Sequence, residues 1–356
     1  MKARTCLWTA SLAGLLALAG CGERPRLAEQ TLTVMGEQAT LYAPIGGEES
    51  LSMAAQVLRM HGDRIYPLID IYSPDSEISR ANRIATISRF PISRDTQHML
   101  EYAQRLSLDL GGVFDITDAT LRHLWIRHFR TEPDELLPTP LVHAARRGVG
   151  PHKVDVRDHS LLLLSNETQL DVNDFSRPYV IDLAMAHLRR QGTSNVLIDM
   201  GDYGRGLGRA APHEAWRRPV PHPADANRPA GHVMLPDGAA FALFGLPHHY
   251  TTVAGEPVAR IIDPRSGWPA DGTATVLVVG PAAADTYGLA QALFILGREE
   301  GTELLKGMSR YQALFIEHEE PFTIWITPNL APLFSPAEAY RDAVHLMEMP
   351  QNTIVD

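Results

Sequence analysis

The chain is 356 residues long, 45% hydrophobic and 21% charged. That is ordinary globular composition, enough for one large domain or two smaller ones, and it argues against a disordered chain. A formal net charge of −10 with no long basic run leaves no electrostatic footprint for nucleic acid.

Residues 1–20, MKARTCLWTASLAGLLALAG, place Lys2 and Arg4 ahead of an apolar stretch too short for a mature spanning helix, and small residues follow. This is the layout of a secretory signal. Leu18, Ala19, Gly20 and Cys21 resemble a bacterial lipobox. Cleavage before Cys21 and acylation of its thiol are therefore expected, with a plain signal peptide and an incidental cysteine as the alternative. Cys6 leaves with the signal and the lipid takes Cys21, so the two cysteines form no disulfide in the folded part. Gly22 in place of an aspartate resembles lipoproteins sorted to the outer membrane. The expected location is the periplasmic face of a bacterial membrane, inner or outer. Losing Lys2 and Arg4 takes Lys+Arg from 32 to 30 against 42 acids, a net charge of −12, so the anchor is lipid and not charge.

Residues 21–30 read as a polar tether, residues 31–330 as the domain and residues 331–356 as a proline-dotted tail over the surface. TLTVMGEQATLYA (31–43) has the alternation of a strand. Glu48 to Ile71 repeats apolar residues at helical spacing and is expected to bend or end early at Gly62 or Pro67. Asp95 to Leu108 reads as a second helix. Val196–Asp199 and Ala274–Val279 are short apolar runs that fit buried strands. The prolines of Arg218 to Ala240 suggest a surface excursion. Ala283 to Leu296 is a helix, and YQALFIEH with FTIWIT is a closing hairpin.

Common catalytic signatures are missing from the sequence. The 15 histidines include no His-Glu-x-x-His. His248 and His249 are adjacent and on a strand would face opposite ways, so a zinc site is not expected. GDYGRGLG lacks the lysine and the following helix of a phosphate loop, and there is neither a Gly-x-Ser-x-Gly nor a nucleophilic cysteine.

Several segments taken in order nevertheless carry a resemblance: VMGEQATLYA, YSPDSEISRAN (72–82), GGVFDITDATLRHLW (111–125), DVNDFSRPYVID (171–182), IDMGDYGRGLG (198–208) and ARIIDPRSGWP (259–269). From about Val34 to Ile316 the chain resembles the FAD:protein FMN transferases of the ApbE type. The resemblance implies an α+β fold of mixed sheets and helices around a central cofactor cleft. It also implies a periplasmic enzyme that binds FAD beside Mg²⁺ and transfers FMN to a threonine of a target protein, such as one of a membrane redox complex. Such chemistry needs a mostly apolar slot for the ring system, a cation with hard oxygen ligands at the pyrophosphate, and a base for the acceptor hydroxyl.

By that resemblance Met35 lies against the flavin, with a core methionine before a turn as the alternative. Tyr72 fits a ring beside the cofactor. Val113, Phe114 and Asp115 follow a double glycine that lets backbone approach a ligand. Asp171 opens the central motif, and Ile262, Asp263, Arg265 and Ser266 shape the cleft unless they form a turn locked by an Asp–Arg pair.

The departures from the family pattern fall on chemistry. Ser176, Arg177 and Pro178 replace alanine, a lysine or glutamate, and glycine; Arg177 keeps a charge but is a poor base, and Pro178 is expected to change the local backbone. Arg260 stands where the family commonly has histidine; it can pair with phosphate but not shuttle a proton. Leu243 and Phe244 replace two hydroxyl residues, and Glu37 replaces threonine. The family's metal-binding Asp-x-x-x-Thr aligns with Tyr287 and Gln291. Asp285 lies about 200° round the helix from Tyr287, and Asp174 stands where the family often supplies an oxygen to the metal, a plain solvent-facing acid being the alternative. Two functions follow as expectations. One is a transferase with a rebuilt metal site at Asp174 and Asp285, its catalysis impaired and its catalytic roles falling to Arg177 and Arg260. The other is a non-catalytic flavin-binding or partner-binding lipoprotein.

Overall fold

The computed structural model describes residues 26–132, 135–223, 225–271, 274–317 and 322–349. The signal segment and Cys21 lie outside the described residues. In chain order come β1 (Leu27–Val34), β2 (Glu37–Pro44), α1 (Glu48–Ile69), α2 (Glu77–Ile84), β3 (Phe90–Pro91), α3 (Arg94–Asp109), α4 (Ala119–Thr131), α5 (Thr139–Arg146), β4 (Val154–Arg157), β5 (Ser160–Leu163) and α6 (Asn173–Arg190). There follow β6 (Val196–Asp199), β7 (Tyr203–Leu207), β8 (Trp216–His222), β9 (Asp225–Leu235), β10 (Ala240–Phe244), β11 (Tyr250–Val253), β12 (Glu256–Ala259), β13 (Ala274–Gly280), α7 (Ala283–Lys306), β14 (Gln312–Glu317), β15 (Thr323–Ile326), β16 (Phe334–Pro336) and β17 (Val344–Leu346).

The main sheet has nine strands in the order β1-β2-β6-β7-β10-β13-β14-β15-β17. Every neighbouring pair is antiparallel except β15 and β17. Its central strands are buried on both faces, which is why VLID and ATVLVV read as continuous apolar runs and not as alternation. Ile198, Ala242, Phe244, Val278 and Phe315 face a core shared with α1, α6 and α7. Leu197, Phe241, Leu243, Leu277 and Leu314 face a second core with Trp216 and Val233 of the β8–β9 hairpin. The architecture is α+β, as the resemblance implied.

The expected opening strand is a hairpin. Met35 (φ 52°) and Gly36 (φ 79°) are both left-handed, the signature of a tight two-residue turn, and β1 already begins at Leu27. The Arg218–Ala240 stretch pairs as β8 and β9. Its register shifts around Pro221, and β8 is an edge strand, where missing amides are tolerated. Helix α1 runs unbroken past Gly62 to Ile69, with Pro67 only in its last turn. Gly297, at φ 71°, breaks α7 where the sequence reading ended that helix.

Gly62 is required by packing. A Cβ there would lie 2.5 Å from Val34 Cγ1 and 3.4 Å from Met35 Cγ. Gly62→Ala gains about 1 kcal/mol of helix propensity but overpacks at a cost of about 1–3 kcal/mol. Urea denaturation is therefore expected to show net destabilisation of about 1 kcal/mol, with recovery when Val34→Ala is combined with it. An unchanged or raised midpoint in the single variant would refute this packing.

Candidate functional site

A cavity of about 300 Å³ opens where β2, α6, β7, β10 and α7 meet, and its walls include Glu37, Asp174, Arg177, Asp202, Tyr203, Phe244, His249, Ile261 and Tyr287. The volume is at the low end for small-molecule sites, room for part of a dinucleotide. Helix α6 delivers Asp174 and Arg177 from its first turns. It continues unbroken through Pro178, although the ring removes the amide that would have met the carbonyl four residues back.

A chain of ion pairs crosses this wall. Arg122 of α4 holds Asp118 at 3.1 Å, Asp171 at 2.5 Å and Asp174 Oδ2 at 2.9 Å. Arg177 takes the other oxygen of Asp174 at 3.0 Å and Glu37 at 3.3 Å. The Tyr203 hydroxyl donates to Glu37 at 3.0 Å. Tyr287 stands edge-on to Tyr203 with centroids 5.4 Å apart and packs on Phe244 at 5.2 Å. Phe244 in turn lies stacked on the His249 ring at 5.1 Å.

Burial opposes ionisation of Asp171, but Arg122 and His123 outweigh it and draw its carboxyl down to about 2. Burial wins at Asp118, pushed up to about 7 against the pull of Arg122. Asp115 rises to about 6 by burial, although the Thr117 amide and hydroxyl donate to its Oδ1. Its Oδ2 and Asn173 Oδ1 are buried with no partner among the described residues.

The remaining expected residues scatter. The Met35 side chain packs on α1 at Gly62 and is 6% exposed, so it is a core methionine. Tyr72 is 80% exposed and lies outside the cavity wall. Val113 and Phe114 are core residues, Phe114 packing on Phe175 at 5.5 Å. Arg260 is exposed, and its amide bonds the His249 carbonyl at the base of the β11–β12 hairpin.

The segment 259–269 is a self-tied turn. Ile262 bridges Pro269, Asp263 pairs with Arg265 at 3.0 and 3.1 Å, and Ser266 Oγ accepts from the Trp268 amide. Gly267 adopts φ 86°, and its carbonyl takes the Trp125 indole proton. Ile262 is buried with Trp125 and Val142. Thus the Asp–Arg-locked turn is the arrangement present, and from this run Ile261 reaches the cavity.

The two proposed metal ligands are not brought together. Asp285 lines a separate cavity of about 310 Å³. There the hydroxyls of Tyr102 and Tyr311 donate to its two oxygens at 2.6 and 2.9 Å. Asp174 has a guanidinium on each oxygen, and Tyr287 faces the cavity from the helix position where the family has an aspartate. This donor set does not fit a hard-oxygen magnesium cage.

Among residues the sequence reading gave no role, His249 lines the cavity, and Arg122 and His248 contact the lining residues Asp174 and Asp202. Arg122 could have been found, because Asp118 and Arg122 stand at i and i+4 on one helical face. His248 and His249 do not face opposite ways. They sit in a 3₁₀ turn (Pro247–His249), where successive side chains step by about 120° and not 180°. Both rings flank Asp202 Oδ2, at 2.6 Å and 3.4 Å. Burial opposes the Asp202 charge, yet the two imidazoles hold its carboxyl below the usual range.

A family model described as the ApbE family matches residues 33–315. A Vibrio cholerae protein named FAD:protein FMN transferase is 25% identical over 333 residues, covering 92% of this chain and 99% of that one. A Salmonella typhimurium protein of the same name is 24% identical over 269 residues, 74% of this chain and 76% of that one. The apo crystal structure of Pseudomonas stutzeri flavinyl transferase ApbE superposes with a TM-score of 0.74 at 24% identity, over 88% of this chain and 98% of that one. The chain belongs to the ApbE family and has its fold.

Proposed function

We propose that this chain is a flavin-nucleotide-binding lipoprotein of the ApbE family. In this reading Cys21 holds it at the periplasmic face of a bacterial membrane, and the family's magnesium-dependent transfer of FMN from FAD to a threonine of a target protein is strongly impaired. One observation carries the reading: four of the residues that depart from the family pattern, Arg177, Glu37, Tyr287 and Phe244, are linked in one contact chain through Tyr203. Arg177 pairs with Glu37, Glu37 accepts from Tyr203, Tyr203 meets Tyr287, and Tyr287 packs on Phe244. Arg177 thereby meets both Glu37 and Asp174, and its charge is answered within the wall by two carboxylates.

Bound FAD would supply the phosphate to be transferred. Toward it, Arg177 offers a guanidinium suited to phosphate oxygens, while Glu37 repels them unless Arg177 stays between. Asp115 and Asn173, with a buried oxygen each that has no partner among the described residues, do not line this cavity. Neither Arg177 nor Arg260 can take the proton of an acceptor hydroxyl, since guanidinium does not deprotonate in practice.

Titrating FAD into the full chain, with Mg²⁺ and again with EDTA, should give quenching of flavin fluorescence with the same affinity in both, and little AMP release. Magnesium-dependent tightening with rapid AMP release would overturn impairment, and no binding would overturn the flavin reading itself. Arg177→Ala should weaken FAD binding about ten- to a hundredfold, the range for a lost hydrogen bond to a charged group. An unchanged affinity would remove Arg177 from the phosphate site.

A further inference from the structure

At the rim of the same cavity, Asp202, His248 and His249 bring one potential ligand atom each to within 4.8 Å of one another. We propose that these three residues bind a borderline divalent transition-metal ion, zinc suiting them best, with an open coordination position toward the cavity. Only what fills that position, a water or a nucleotide phosphate oxygen, rests on the flavin reading.

Donor chemistry is the first support. Two imidazoles and one carboxylate with a vacant position are a recurrent set for zinc, and are unlike the all-oxygen surroundings magnesium prefers. Spacing is the second. Tetrahedral ligands about 2.0–2.1 Å from zinc lie roughly 3.3 Å from one another. The Asp202 Oδ2 to His248 Nε2 and His249 Nε2 separations of 2.6 and 3.4 Å bracket that value, and all three ligand atoms lie within 4.8 Å of one another, so small side-chain shifts close them on an ion.

The supporting shell fixes the ligands. The Leu243 amide bonds the Asp202 carbonyl at 2.7 Å, and the His249 amide bonds the Leu246 carbonyl at 2.8 Å. The His249 ring is held flat against Phe244, 14° from parallel. Asp202 and His249 both line the cavity, whereas the His248 side chain is 59% exposed and gives an ion a route in from solvent.

One contact works against binding. The Leu246 amide donates to His249 Nδ1 at 3.1 Å, so in the metal-free chain the ring proton sits on Nε2. Ligation through Nε2 moves that proton to Nδ1 and gives up this contact, a loss of about tenfold in affinity for one hydrogen bond. His248 and Asp202 bind first, and His249 joins through Nε2 with its ring still against Phe244.

The test uses the full chain, purified in detergent without a histidine tag, stripped with EDTA and titrated with Co²⁺ while visible absorption is recorded. One equivalent should give the ligand-field bands of a four- or five-coordinate site, and Zn²⁺ should abolish them. Asp202→Asn, His248→Ala and His249→Ala should each weaken cobalt binding at least tenfold, and Asp285→Asn should not. Should Asp202→Asn fail to fold, the exposed His248→Ala keeps the test decisive. Absence of the bands, or bands indifferent to these substitutions, overturns the site. Titrating FAD into the same stripped protein separates the two readings: FAD binding without cobalt binding sinks the metal site alone, and cobalt binding without FAD binding sinks the flavin reading alone.

Discussion

Asp182 ties together the two helices that build the cleft. Its carboxylate accepts the amides of Ala283 and Ala284, the first free donors of α7, at 2.8 and 2.9 Å, and pairs with Arg205 of β7 at 2.6 Å. A helix start carries unpaired amides and a partial positive charge, so an acid from α6 anchors α7 at that point. Burial pushes the Asp182 carboxyl upward, and Arg205 and the two amides counter it. Because Asp174 and Arg177 precede Asp182 on one helix, and Asp285 and Tyr287 follow the cap on the other, this junction sets where those four side chains point.

Given that frame, substitutions in the wall have to be read jointly. A lone Glu37 facing a phosphate site would be an uncompensated charge, as would a lone Arg177; paired at 3.3 Å each answers the other. Arg177 is the more buried partner, 14% exposed against 42% for Glu37, so loss of Glu37 leaves it one carboxylate fewer and the two positions are coupled. Arg122 does the same on the far side, where three carboxylates converge on one guanidinium. The network holds Asp174 as a structural acid, and the two arginines that satisfy it are what make it a poor metal ligand.

Sequence reading recovered what depends on long periodic segments and missed what depends on local turns. The apolar runs 196–199 and 274–279 mark two central strands because burial on both faces leaves no alternation to misread. The helices at 95–108 and 283–296 follow from apolar period and, in the second, from a glycine break. The opening hairpin was hidden because Met35 and Gly36 are not a conventional turn pair, and β8 and β9 because prolines on an edge strand look like a loop. Motif residues such as Asp263 and Arg265 could be placed in a loop, but whether they bond each other or a ligand is a question of side-chain direction. Adjacent histidines are the clearest case: the choice between opposite and shared faces turns on whether two residues are extended or helical, which three residues of 3₁₀ turn decide.

Tyr287 and Gln291 stand where the resemblance places the family's metal-binding pair, and the nearby Asp174 is held by two guanidinium groups, which can hold a phosphate yet neither give up a proton nor present an open coordination position. In this wall Arg177 supplies positive charge, while Tyr287 packs on Tyr203 and Phe244. His249 lines the same cavity as Tyr287, and Phe244 touches both. That single ring makes Tyr287 and His249 interdependent, since enlarging or shrinking it moves both together.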